Sequence, residues 1–505
     1  MLLPVIDCTR SLRSTELSIR SPIISIYDTN TTLRNDMTSR DHHDASVVQK
    51  DSLRYSTGFG NSFSSEFIPG ALPRGRNNPR KVPFGLYAEQ LSGTAFTSPR
   101  HGNRRTWLYR IQPSVVGTEN SFEPCKNVTN NCYPRDFGNV QDLQLDPNPM
   151  KWNSLPLQTG VDFVSGMKTF MSSGSPLTKN GLSISMYSFD QDMRDVHMYN
   201  SDGDFMIVPQ IGSLRIDTEL GRMIVSPNEI CVLPRGIVFS VHKQNADDPS
   251  TRGYVLEIYK GHFELPELGP IGSNGLANAR DFLHPTAWCV HEKDYKLPCT
   301  ILNKFGGQLF TRQSQHSPYN VMAWHGTYVP FLYDLTHFCA INSVTYDHLD
   351  PSIYTVLTVA GSEPGTALAD FVVFPPRFMA TDSNTLRPPW FHRNCMSEFM
   401  GLIHGGYDAK QGFVAGGASL HSCMTPHGPD TVSYEAAVAD PCEAPIKFTG
   451  GLAFMFETSM ILELTKFGRD SGHRDHSYAK CWSELEDRFI GWSIVAHKED
   501  KDEEV

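Results

Sequence analysis

Seven of the chain's 19 histidines fall between His325 and His427, about a fifth of its 505 residues. A histidine taken alone is more often a surface or hydrogen-bonded core residue than a ligand, so local context decides. Arg387-Pro388-Pro389-Trp390-Phe391-His392 sets one imidazole after a rigid double proline, and Glu398 follows six residues later. His421-Ser422-Cys423-Met424-Thr425-Pro426-His427-Gly428-Pro429-Asp430 offers two more on a loop bent by proline and glycine. Two imidazoles and one carboxylate leave three faces of an octahedral metal open, which suits iron(II) holding a chelating substrate and O2 together. A spacing of six is not helical geometry, so His392 and Glu398 meet at one ion only if a strand or loop folds back. Spacing alone does not choose between His421 and His427.

Other familiar chemistry is missing. The sequence has no P-loop, no HExxH helix and no GxSxG elbow. Gly58-Phe59-Gly60 lacks the third glycine and the helix of a dinucleotide site, and Asp202-Gly203-Asp204 has too few ligands for an EF-hand and reads as a turn. His325, in Ala323-Trp324-His325-Gly326, reads as structural or as a neighbour of a ligand.

The elements that must position these residues are short and β-prone. Throughout the chain 34 Pro and 39 Gly punctuate them, a spacing that favours a sandwich or barrel. Residues 204–241 are the clearest case. Phe205-Met206-Ile207-Val208 reads as a buried strand ended by Pro209, and Leu214, Ile216 and Thr218 alternate with polar residues up to a turn at Gly221. Met223 and Val225 alternate next; Ile230-Cys231-Val232-Leu233 is another buried run, and Pro234-Arg235-Gly236 turns the chain into Ile237-Val238-Phe239. Strand, tight turn, strand and Pro/Gly corner spell a jelly roll, similar to the second motif of a cupin. A metal-binding cupin places a histidine soon after that corner. Here apolar residues and Ser240 follow, so this unit reads as support for a site built elsewhere. Near the end, Tyr478, Trp482, Leu485 and Phe489 recur at helical spacing and predict a helix docked on the β core.

Bulk properties bound the class. At this length two domains are the natural expectation. A hydrophobic share of 39% and a charged share of 20% are those of an ordinary globular protein. The net charge of −11, with no basic run, speaks against nucleic acid or an anionic membrane as partner. No run of about 18 apolar residues exists to span a bilayer. The first residues lack a secretory signal, and residues 1–50 carry more acids than a transit peptide usually does; they read first as a disordered extension of a cytoplasmic protein, with organellar targeting as the other reading. Eleven scattered cysteines without CxxC pairs suit reduced thiols.

Longer motifs narrow the reading. Pro388-Pro389-Trp390-Phe391-His392-Arg393-Asn394-Cys395-Met396-Ser397-Glu398-Phe399-Met400-Gly401-Leu402 resembles the signature of the homogentisate 1,2-dioxygenase family. Ser419-Leu420-His421-Ser422 and Met424-Thr425-Pro426-His427-Gly428-Pro429-Asp430 match it too, as do Leu86-Tyr87-Ala88-Glu89-Gln90-Leu91-Ser92-Gly93, Tyr199-Asn200-Ser201-Asp202-Gly203-Asp204-Phe205 and Leu268-Gly269-Pro270-Ile271-Gly272. The resemblance spans roughly residues 55–490. It implies a mainly β fold, with a cupin-like jelly-roll or sandwich domain over residues 51–338 and a smaller iron-binding catalytic domain over 339–505. It implies an extradiol-type, non-haem Fe(2+) dioxygenase that converts homogentisate and O2 to maleylacetoacetate in tyrosine and phenylalanine catabolism. The assembly it implies is a homohexamer, a dimer of trimers.

Carried over residue by residue, the ligands are His392, Glu398 and His427; His421 becomes a neighbour of the metal or the substrate. The acid/base histidine, in Asp347-His348-Leu349-Asp350-Pro351-Ser352, is His348. Substrate contacts fall to Tyr407, nine residues after Glu398, and to His427. The sequence departs from the family in its first 50 residues, in an expansion around 119–135, and in His404-Gly405-Gly406-Tyr407, where the family pattern has Arg-Gly-His-Tyr. Two other readings remain: a dioxygenase of another hydroxylated aromatic acid such as gentisate, and a non-catalytic cupin-like binding protein, which predicts a damaged ligand set.

Overall fold

The strand Asp204–Ile211 sends alternate side chains to opposite sides, as every strand must. Phe205 and Ile207 enter one core, while Met206 and Val208 enter another. A strand buried on both faces reads as an unbroken apolar run, and that is why 205–208 does so. The computed structural model describes residues 47–117, 121–125, 143–267, 275–341, 354–379, 382, 384–407, 409–441 and 444–492.

The run belongs to a ten-stranded sheet that serves as the middle layer of the fold. Its central members are Glu229–Leu233, Asp204–Ile211, Thr251–Ile258, Asn180–Phe189 and Met167–Ser175, joined antiparallel. On one face lies a seven-stranded sheet containing Gly221–Val225, Leu214–Thr218, Phe239–Lys243, Val196–Asn200 and Cys299–Phe305. Between these two sheets Phe205, Ile207 and Val255 meet Ile216, Met223, Val241 and Leu302. This is the expected β-sandwich, and the fold is mainly β. Pro209 does not end its strand. The ladder continues to Ile211 across a register shift between Pro209 and Ile211, where the missing N–H is accommodated.

The other face of the ten-stranded sheet carries the sheet that matters for chemistry. Its order is Thr355–Ala360, Ala367–Phe374, Gly451–Thr458, Ser397–Gly405, Ala418–His421, Met150–Trp152. Met186, Met206, Tyr254 and Leu256 pack there against Phe371, Phe399, Leu402 and Phe454 in one continuous core. Tyr254 also donates its hydroxyl hydrogen to the carbonyl of Gly417 at 2.7 Å, tying the two sheets together. Ser397–Gly405 has a paired strand on each side, so the residues at its start inherit the rigidity of the whole layer.

Two expectations need correction. The predicted C-terminal helix shrinks to a single 3-10 turn, Tyr478–Trp482. Beyond it, the Asp487 carboxylate accepts the N–H of Phe489 at 2.8 Å, a local bond that competes with helix continuation, and Phe489 stays 53% exposed. The chain is also ordered before residue 51: Val47–Lys50 pairs with Leu53–Thr57 at the sheet edge, and Lys50 reaches Glu229 at 3.0 Å. Residues 1–46 lie outside the described ones. All eight described cysteines are free. No described helix is long and apolar enough to cross a membrane.

Candidate metal centre

Glu398 occupies the second position of Ser397–Gly405, paired across the ladder with His421 on one side and Glu457 on the other. The residue is only 7% exposed. His392 and His427 arrive on two loops that bridge each other. The His392 N–H donates to the His427 carbonyl at 2.9 Å, and the His427 N–H returns a bond to the His392 carbonyl at 3.1 Å. Gly428 permits this approach, because a Cβ there would sit 2.5 Å from the Phe391 ring and 2.9 Å from its Cα. The fold-back that the six-residue spacing demands is made by residues 393–396. Asn394 fixes that turn by accepting the Met396 N–H on its side-chain oxygen and the Met424 N–H on its carbonyl.

The two imidazoles are held alike. His392 Nδ1 donates to the Trp390 carbonyl at 2.8 Å, and His427 Nδ1 to the Thr425 carbonyl at 2.9 Å. A neutral imidazole that donates from Nδ1 offers a lone pair at Nε2, the usual preparation of a metal-binding histidine. His427 Nε2 lies 3.0 Å from one Glu398 oxygen, and His392 Nε2 lies 3.7 Å from the other. One atom from each of the three residues falls within 4.8 Å of the other two. Three acceptors facing one another require a positive charge between them. A proton is one candidate: the Glu398 carboxylate 3.7 Å from its Nε2 raises the His392 pKa above its ordinary value. Burial works to raise the Glu398 pKa, yet the facing imidazoles of His392 and His427 hold it well below the carboxylate range. A divalent metal satisfies the same three atoms together, so the donor set fits one.

The matches to known proteins follow this geometry. Residues 54–335 match the family model described as homogentisate 1,2-dioxygenase N-terminal, and residues 336–489 match its C-terminal counterpart. The chain belongs to the homogentisate 1,2-dioxygenase family. A relative of that name from Dictyostelium discoideum is 52% identical over 448 residues, covering 87% of this chain and 99% of the relative. Those from Arabidopsis thaliana and Homo sapiens are each 50% identical, over 445 and 447 residues, covering 88% and 86% of this chain and 94% and 97% of theirs. Homogentisate 1,2-dioxygenases are metalloenzymes, and these three residues form a candidate metal site.

Around the three candidate ligands the structure adds partners that spacing does not single out. The Asn394 amide donates to Glu398 at 2.9 Å and to Glu457 at 2.8 Å, bridging two carboxylates. Burial, and then the charge of Glu398, push the Glu457 pKa up to about 7. The His421 ring stacks on that of His427 at 4.0 Å between centroids, 8° from parallel. Lys410 and Tyr478 close on His421 from its far edge. Tyr407 sits half-buried just beyond the strand end, packed edge-on against Phe374 at 5.9 Å. His325 is away from the centre, on the strand Val321–Gly326, where it meets the Tyr109 hydroxyl at 3.3 Å. His348 lies outside the described residues. Lys410 and Glu457 leave no mark in local sequence, and Asn394 is visible only as part of the family motif.

Proposed function

We propose that this chain opens the aromatic ring of homogentisate with O2, giving maleylacetoacetate, at an iron(II) ion held by His392, Glu398 and His427. The observation that carries the proposal is the convergence of two Nδ1-protonated histidines and one buried carboxylate in a family of this name. Bound there, iron(II) supplies open coordination positions and the electrons that let O2 react with an aromatic ring. The protein's own residues do the rest. Main-chain carbonyls aim both imidazoles, and Asn394 fixes the carboxylate between them. Paired strands on both sides fix the backbone from which that carboxylate projects. His348 serves proton transfer, as the match of its Asp-His-x-Asp-Pro-Ser run to the family motif implies, and Tyr407 and His427 contact the substrate.

In this reading residues 51–338 form the supporting domain and 339–505 the catalytic one, and the division between the matched family models at 335 and 336 supports that. The family reading also supports a homohexamer built as a dimer of trimers. O2 uptake by the iron-loaded chain, with homogentisate and gentisate side by side, tests the function. Homogentisate is expected to be turned over by at least about 100-fold in preference, since a site built around polar groups rejects a poorly matched acid strongly. Preference for gentisate moves the chain to another substrate, and turnover of neither leaves a binding protein.

A further inference from the structure

Behind the candidate ligands lies a buried trio that the proposed reaction does not yet use. Lys410 follows Tyr407 on the turn after the ligand strand, and its Nζ stands 3.0 Å from His421 Nε2. The same ammonium donates to the Tyr478 hydroxyl, whose oxygen lies 2.9 Å from His421 Nε2. Among the described residues no carboxylate forms an ion pair with Lys410. His421 itself is 1% exposed, and its Nδ1 has no hydrogen-bond partner.

These contacts fix a proton. An ammonium has three donors and no acceptor, so the nitrogen facing it must accept. His421 Nε2 is therefore the lone-pair nitrogen, and in the neutral ring the proton sits on Nδ1. That places an unsatisfied N–H inside the protein, on a ring lying against a candidate ligand, His427, and on the cross-strand partner of Glu398. An orphaned buried donor is destabilising, a cost removed when an oxygen arrives to accept it. Residues that complete a hydrogen bond only when a ligand is present are how a site distinguishes bound from empty.

We propose that Lys410 is a positioning residue: it holds His421 as the Nδ1–H tautomer, and that N–H donates to an acceptor oxygen of the molecule bound at the metal centre. Part of this rests on the dioxygenase reading above, but the tautomer itself does not. Turnover of homogentisate by the wild-type chain is the control for the former, because its absence contradicts the function without touching the proton on His421.

The experiment uses the full chain in two forms. In metal-free wild type, neutron diffraction locates the His421 proton directly; it is expected on Nδ1, and a proton on Nε2 overturns the proposal. In iron-loaded protein, His421→Asn puts an amide nitrogen near the position of Nδ1, whereas His421→Gln reaches toward that of Nε2. The Asn variant is expected within about tenfold of wild-type kcat, and the Gln variant to fall by about 10²–10³-fold, with iron content unchanged in both. Lys410→Met is expected to fall with the Gln variant, and Lys410→Gln, which still donates a hydrogen, to recover most of that loss. A raised KM for homogentisate assigns the acceptor oxygen to the substrate, and a raised KM for O2 assigns it to O2. The Gln variant of His421 outperforming the Asn variant, or Lys410→Met matching wild type, overturns the proposal. Should Lys410→Met fail to fold, the neutron measurement still decides it.

Discussion

His392 and His427 are hydrogen-bonded to each other through their main chains in both directions, at 2.9 and 3.1 Å, and each also donates its Nδ1 proton to the carbonyl two residues before it. Two loops 35 positions apart thus present equivalent imidazole edges to one carboxylate. The pair is fixed by backbone rather than by side-chain packing, so its geometry survives changes in the surroundings that would misplace a freely rotating histidine.

Asn394 should govern how tightly metal is held. Its amide bonds Glu398 and Glu457 together, and removing such a supporting bond costs 10–100-fold in metal affinity as a rule. Asn394→Ala is expected to lose about that much in titrations against a competing chelator. Asn394→Asp should lose more, because it adds a third carboxylate beside two that already repel. An Asn394→Asp variant binding as tightly as wild type would remove Asn394 from the account.

Glu457 should give the metal-free protein a pH-dependent stability. Burial raises its folded pKa to about 7, above the carboxylate range of the unfolded chain. The folded state therefore binds the extra proton between roughly pH 4.5 and 7. Stability from this group is present below about pH 4.5 and is lost as pH rises through 7, by up to about 3 kcal/mol. Burial pushes Asp370, its neighbour across the ladder, up to about 6, in the same direction. Urea unfolding at pH 5 and pH 8 should show the decline, and Glu457→Gln should reduce it to the part that Asp370 contributes. An equal decline in that variant contradicts the assignment.

For His348 the expected signature is a separation of chemistry from metal binding. His348→Gln keeps much of the volume but cannot titrate near neutral pH. Turnover should fall about 10²–10⁴-fold with iron content unchanged. Lost iron instead makes His348 a ligand or the support of one.

The N-terminal boundary can be placed by truncation. A chain beginning at Ala45 keeps the edge strand Val47–Lys50 and should match the full chain in melting temperature and turnover. One beginning at Leu53 loses the strand and the Lys50 partner of Glu229, whose carboxylate is then buried without its cation. The loss should be about 1–3 kcal/mol, read as a lower melting temperature. Equal melting of the two chains means the edge strand contributes nothing.

The sandwich was legible because its middle strands are buried on both faces and its corners carry Pro and Gly. Runs such as Phe205–Val208 and Ile230–Leu233 admit little else. Pro209 misled because a bulge can carry a proline that a regular ladder cannot. Tyr478 and Trp482 have helical spacing for another reason: each is tied to the site, Tyr478 through Lys410 and Trp482 through its indole N–H to the Pro429 carbonyl at 2.9 Å. His392, Glu398 and His427 were readable only through the long family motif, since a six-residue spacing has no intrinsic geometry. Lys410 and Glu457 were not readable at all. Their roles come from cross-strand register and from burial, which a single sequence does not display.

The central claim is that His392, Glu398 and His427, rather than His421, hold the metal. Iron per chain in purified wild type, His427→Ala and His421→Ala measures it directly. Wild type and His421→Ala should each retain roughly one iron per chain, and His427→Ala should be depleted, because a facial site cannot lose one of three ligands and keep its affinity. Full iron in His427→Ala together with loss in His421→Ala would contradict the assignment.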